Sequence, residues 1–131
     1  MGLFIYDQKT GTIKPFGPYF NAKEIVVTPE KVYIATASGV QVLKTEDLVN
    51  MKPAEFKKIP FNKTGRCRSI ALLNDTLFAA YSDGVYIYTR DTIQRLIYKN
   101  APVYSSEVQT LFNKVLIGTY SQGILAFEGA P

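Results

Sequence analysis

Arg66 and Arg68 flank the single cysteine, Cys67, in a run of alternating polarity. In an extended chain both guanidiniums share one strand face and the thiol takes the other. Two guanidiniums side by side suit an anion, a carboxylate or a phosphate, because each offers a planar fork of donors. Glu24, Asp83 and Glu107 fall near the ends of apolar runs. Paired carboxyls about 5 to 9.5 Å apart are the machinery of glycoside hydrolysis, and solvated loop carboxylates are their ordinary alternative. Histidine is absent, which excludes histidine-dependent triads and the commonest metal ligand. One cysteine excludes an internal disulfide and a multi-cysteine metal site, so neither metal nor cofactor is expected. Cys67 reads as a small buried residue rather than a nucleophile.

These groups belong to two sets of connections. One set leads into apolar runs: Asn21, Lys23 and Glu24; Arg66 and Arg68; Tyr104, Ser105, Ser106 and Glu107. The other is a recurring tight turn with Ser38, then Ser82 and Asp83, then Ser121 and Gln122. Short polar side chains commonly satisfy such turns through local hydrogen bonds. The ligand-contacting candidates are Lys23, Glu24, Arg66, Arg68, Ser82, Asp83, Tyr104, Glu107, Ser121 and Gln122, with no catalytic residue among them. Tyr81 and Tyr120 precede matching turns, where they serve either as aromatic platforms or as packing.

The elements that must position these residues repeat. Val32-Tyr33-Ile34-Ala35-Thr36-Ala37-Ser38-Gly39-Val40, Leu77-Phe78-Ala79-Ala80-Tyr81-Ser82-Asp83-Gly84-Val85 and Leu116-Ile117-Gly118-Thr119-Tyr120-Ser121-Gln122-Gly123-Ile124 are one motif written three times. The turn glycines lie 84 − 39 = 45 and 123 − 84 = 39 residues apart, the spacing of β-propeller blades. Each copy is an apolar strand, a turn and a second apolar strand. Another alternating run precedes each, at residues 25–28, 70–73 and 108–112, and a more basic run comes after two of them, at 56–61 and 92–99. That makes four strands per unit. The chain therefore reads as all-β, a propeller segment of about three four-stranded antiparallel blades in an incomplete ring. Its units are a half blade at 1–20, blades at 21–62 and 63–103, and an incomplete blade at 104–131.

Residue types follow that order. First strands line a channel, middle strands are buried on both faces and read as continuous apolar runs, and lysines on the outer strands discourage edge pairing. Small Ala35, Ala80 and Gly118 suit close approach near the axis. Thr45 is placed to cap one helical turn that Pro53 would stop. Residues 2–7 match 84–88 and the last unit ends after its third strand, so the repeat is out of phase with the chain ends. The expected object is larger: either a longer parent chain, or self-association through blade edges, as when two chains pair into one ring.

The pattern resembles the propeller repeat in sensor regions of hybrid two-component regulators, best at Val115-Leu116-Ile117-Gly118-Thr119 followed by Gly123-Ile124. The tryptophan of that repeat is missing here. Citron-homology and WD-repeat-like propellers carry similar patterns. The resemblance implies a sensing input, periplasmic or extracellular in the regulator case and otherwise cytoplasmic. The 131 residues carry a net charge of +4, with lysines scattered rather than clustered, so no nucleic-acid partner is expected. No run approaches the ~20 apolar residues of a membrane span. The expected function is a non-enzymatic binding or sensing module for a protein, small molecule or glycan. A protein–protein scaffold and a carbohydrate-active enzyme are the alternatives.

Overall fold

The structure, a computed structural model, describes residues 3–16, 21–50, 56–61 and 65–128. Alternating apolar runs pair with their neighbours in sequence, so every sheet is an antiparallel meander. Strands β1 (Leu3–Asp7) and β2 (Thr12–Phe16) form a hairpin. Next comes a four-stranded sheet of β3 (Ala22–Val27), β4 (Lys31–Thr36), β5 (Gly39–Lys44) and β6 (Lys57–Lys58), with helix α1 (Thr45–Val49) between its last two strands. The second four-stranded sheet holds β7 (Ser69–Leu73), β8 (Thr76–Tyr81), β9 (Gly84–Thr89) and β10 (Thr92–Arg95). A small ribbon, β11 (Ile97–Tyr98) with β12 (Ala101–Pro102), leads to a third sheet of β13 (Ser105–Leu111), β14 (Lys114–Thr119) and β15 (Ile124–Glu128). The chain is all-β in this sense, and among the described residues no sheet closes on itself.

Packing follows from side-chain alternation. One face of the first sheet carries Ala35 and Val40, which meet Ile70, Leu77 and Ala79 of the second sheet together with Phe61 and Cys67. The opposite face of the second sheet carries Ala71, Phe78, Ala80 and Val85, which meet Val108, Val115, Ile117 and Leu125 of the third. Val32, Ile34 and Leu43, on the remaining face of the first sheet, take Ile5 of the hairpin, Leu48 of α1 and Phe56. At about 25 cal/mol per Å2 of apolar surface removed from water, these layers are the main source of stability.

The first strands β3, β7 and β13 are each the edge of their own sheet, and they lie side by side. Side chains bridge them. The buried Ser69 hydroxyl accepts the Val108 N–H at 3.1 Å and shares its own proton among both Glu24 oxygens, at 3.2 Å, and the Val108 carbonyl, at 3.1 Å. The Ile70 N–H donates to Glu24 Oε1 at 3.3 Å. The Thr110 hydroxyl accepts the Leu72 N–H at 3.2 Å and donates to the Leu72 carbonyl at 3.0 Å. β3 and β13 also share a bulge at the same place, between Ala22 and Glu24 and between Ser105 and Glu107.

Several local expectations change. The fourth-strand pairing expected over 56–61 is reduced to Lys57–Lys58 and one further bond, from the Ile59 N–H to the Val40 carbonyl at 3.0 Å, beyond which Pro60 has no N–H to donate and Phe61 is buried in the core. The run at 92–99 pairs with β9 only as far as Arg95, and its Ile97–Tyr98 pair with β12 instead. Between the two, Leu96 turns inward, donating its N–H to the Val85 carbonyl and accepting from Val103. Thr45 does not cap α1: it is the first helical residue, and its hydroxyl donates to the Thr28 carbonyl at 2.8 Å. Pro53 lies outside the described residues. Ala35 and Ala80 are buried, whereas Gly118 is exposed, since no sheet among the described residues covers its face. The third copy of the turn holds more residues between its strands than the other two.

Ser69→Ala leaves the Val108 N–H and one side of the Glu24 carboxylate without a partner, which costs about 1–3 kcal/mol for a buried polar group. The expected loss in urea denaturation is of that size. Ser106→Ala, at an exposed position, is expected to stay within about 0.5 kcal/mol of wild type.

Candidate functional site

In a meander the first strand begins where the second ends, and the three registers put Ala22 opposite Thr36, Ser69 opposite Ala80 and Ser105 opposite Thr119. The lead-in segments and the repeated turns therefore share one end of their sheets. Cross-sheet bonds fix that end: the Cys67 N–H donates to the Thr36 carbonyl at 3.0 Å. Within the sheets, Arg68 donates to Ala80 at 2.9 Å and Tyr120 to Tyr104 at 3.1 Å.

The polar side chains converge there. Arg68 Nη1 donates to the Tyr120 hydroxyl at 3.1 Å, joining residues 52 apart in sequence that flank different sheets. Arg95 stacks over the Tyr104 ring, 5.8 Å from its centroid, and donates to the Tyr104 hydroxyl at 3.3 Å and to the Asp83 carbonyl. The Asp83 carboxylate accepts the Tyr86 hydroxyl at 3.2 Å, and the Gln122 amide donates to the Tyr98 carbonyl at 3.2 Å. Tyr104, Tyr120 and both guanidiniums are exposed. The result is a wet surface of two tyrosine rings and two cations, suited to a planar or cyclic ligand bearing negative charge.

Of the sequence candidates, Arg68, Asp83, Tyr104 and Gln122 meet in this cluster. Arg66 and Arg68 are both exposed with Cys67 buried between them, the alternation expected of an extended run. Lys23, Ser82 and Ser121 are exposed. Glu24 is committed instead to Ser69 and Ile70. Glu107 is exposed, accepts from the Gln109 amide and lies near enough for its charge to act on Glu24. An open groove of about 460 Å3 runs along the first strands beside Glu24, Ile70, Val108 and Thr110. The tyrosines divide: Tyr81 is buried against Phe61 and Tyr86, with ring centroids 5.5 and 5.8 Å away, whereas Tyr120 faces the cluster.

Two features escaped the sequence. Arg95 is one. A Cβ at Gly84 would lie 2.9 Å from Arg95 Nε, and one at Gly39 would lie 3.0 Å from Lys58 Cε, so a cation crosses the turn glycine in both four-stranded sheets. The signal was hidden because these pairs are 95 − 84 = 11 and 58 − 39 = 19 residues apart, the second spacing being stretched by the connection between β5 and β6 that contains α1. The other is a cleft of about 410 Å3 lined by Lys31, Lys44, Lys57 and Lys58 beside Tyr33 and Tyr88. Lysines that look scattered along the chain are gathered in space, with Lys31 directly opposite Lys44.

Burial sets the titration of the deeper groups. Desolvation raises the Glu24 carboxyl above its ordinary value of 4.5, bonds from Ile70 and Ser69 oppose the rise, and the Glu107 charge adds to it. Burial pushes the Cys67 thiol to about 12. Burial also raises Tyr81. Among the described residues no group of three or more His, Cys, Asp or Glu could hold a metal ion, and no helix is long and apolar enough to cross a membrane. The chain matches no protein-family model and no curated protein.

These titrations have two measurable consequences. Cys67 is expected to ignore a disulfide reagent at about pH 8 until the protein unfolds, since the thiolate is the reactive form; absorbance on adding urea checks it. Because the folded state holds the Glu24 proton more tightly, its burial favours folding fully below pH 4.5, and that advantage is lost as pH rises through the raised value. Glu24→Gln, neutral throughout, is expected to remove this slope, so the wild-type urea midpoint falls relative to the variant as pH rises above 4.5.

Proposed function

We propose that this chain is a β-propeller segment acting as a non-enzymatic binding module, with its ligand held where the first strands begin. The bond from Arg68 to Tyr120 carries the reading, because it joins a lead-in segment of one sheet to the repeated turn of another. The propeller assignment is supported by three successive meanders in the same strand order, with their first strands together. The chemistry favours an acidic small molecule or acidic glycan: exposed Tyr104 and Tyr120 rings suit the apolar face of a sugar, and Arg68 and Arg95 suit its carboxylate. Binding is favoured over hydrolysis because Glu24, the best-held carboxylate, is occupied by Ser69 and Ile70. A sensing input, as in the regulators whose repeat this one resembles, is the matching biological role.

A protein–protein scaffold is the second reading, favoured by Phe112. It stands 95% exposed at the tip of the β13–β14 hairpin with φ of 53°, a backbone conformation uncommon for a bulky residue.

Calorimetric titration with oligogalacturonate, against a neutral maltooligosaccharide, tests the binding proposal. The acidic glycan alone is expected to bind, and Arg68→Gln to weaken it by ~10-fold or more, the effect of losing a charged hydrogen bond. Unchanged affinity in the Arg66→Gln, Arg68→Gln double variant would refute the site.

A further inference from the structure

The sheets of this chain are stacked by one rule applied repeatedly. In the first sheet Ala35 lies opposite Val40 and Tyr33 opposite Val42, and these four side chains pack onto the second sheet. In the second sheet the corresponding pairs are Ala80 with Val85 and Phe78 with Ile87, and they pack onto the third. The third sheet repeats them as Gly118 with Ile124 and Leu116 with Ala126. Here the face is open: Ile124 is 78% exposed, and Gly118 and Ala126 are exposed as well.

The hairpin is open on the complementary side. Phe4-Ile5-Tyr6 corresponds to Tyr86-Ile87-Tyr88 of β9. Ile87 faces the next sheet, and Ile5 does the same, packing on Val32, Ile34 and Leu43. Tyr86 and Tyr88 face the preceding sheet, in the cluster that holds Tyr33 and Val42. Their counterparts Phe4 and Tyr6 are 63% and 61% exposed, and Ile13, opposite Tyr6, is 65% exposed.

We infer that two copies of this chain associate head to tail, the hairpin face of one copy (Phe4, Tyr6, Ile13) covering the open face of the third sheet of the other (Leu116, Ile124, Ala126). The occupant is named by the stack itself. Each face is of the kind that its equivalents inside the chain bury against the other kind. No edge-to-edge strand pairing is needed, and the contact is heterologous, so each copy keeps one face free for a further copy.

Sedimentation velocity on the 131-residue chain tests this without reference to any ligand, so its outcome is separate from that of the binding proposal. The wild type is expected to give species larger than a monomer that grow with concentration. Ile124→Glu and Tyr6→Glu, each at an exposed position, are each expected to weaken association at least tenfold while far-ultraviolet circular dichroism stays unchanged. An equimolar mixture of the two variants is expected to regain a dimer and stop there, because each contributes one intact face. As a second readout that tolerates the original packing, Tyr6→Cys on one copy and Ile124→Cys on the other are expected to cross-link under oxidation. A wild type that is monomeric at every concentration overturns the inference. So does a dimer in which Ile124→Cys links only to itself, or a mixture of the two glutamate variants that fails to pair.

Discussion

Three sheet edges meet at β3, β7 and β13, and the exposed N–H and C=O groups of an edge strand must find partners or remain open to aggregation. Backbone pairing across these edges would fuse separate sheets into one. Side chains prevent that by occupying the edge groups: Glu24 takes the Ile70 N–H, Ser69 takes the Val108 N–H, and Thr110 takes both polar groups of Leu72. Everything beyond depends on this close but unfused approach. It brings the lead-in segments together, and it lets the second sheet turn one face to the first sheet and the other to the third.

The same constraint explains which residues sit one step away from the edge. Glu24, Ser69 and Glu107 are opposite Ala35, Ala80 and Gly118 in their own sheets. A small partner leaves room for the side chain to lean across to the neighbouring strand. Where a neighbour exists the side chain is engaged, as at Glu24 and Ser69. Among the described residues no strand lies on that side of Glu107, and it is exposed with Gln109 as its partner. One position in the repeat thus has two fates, decided by packing rather than by residue type.

Much of this was legible in the sequence, and the reason is local. Strand, turn and strand recur within nine residues, so the meanders and the buried middle strands follow from alternation and turn chemistry alone. The alternation around Cys67 likewise reads directly. What the sequence conceals is distance. Thr110 and Leu72 are 38 residues apart and Ser69 and Glu24 are 45 apart, and nothing local marks Ser69 as a junction of three strands. The outer strands are harder to read for a related reason: Ile59, Phe61 and Leu96 look like strand residues, but the regular pairing stops before them and they are buried in the core, Ile59 and Leu96 each keeping one N–H bond to the neighbouring strand. The lysines of the cleft are apart in sequence and adjacent only once β4, β5 and β6 have paired.

Arg95 shows how the fold and the candidate site come to share residues. Its guanidinium crosses Gly84, where φ of 145° and the absence of a side chain make room for it. From there it holds the Asp83 carbonyl and stacks on Tyr104. The turn, the fourth strand and the lead-in to the third sheet are thereby joined through one cation. Lys58 occupies the same place over Gly39 but presents a point charge without the planar fork of arginine. Two equivalent positions therefore offer different chemistry. The arginine is the one beside exposed tyrosines, at the junction of the second and third sheets, whereas a Cβ at Gly39 would meet both Lys58 and, at 3.6 Å, the hydroxyl of the buried Tyr81.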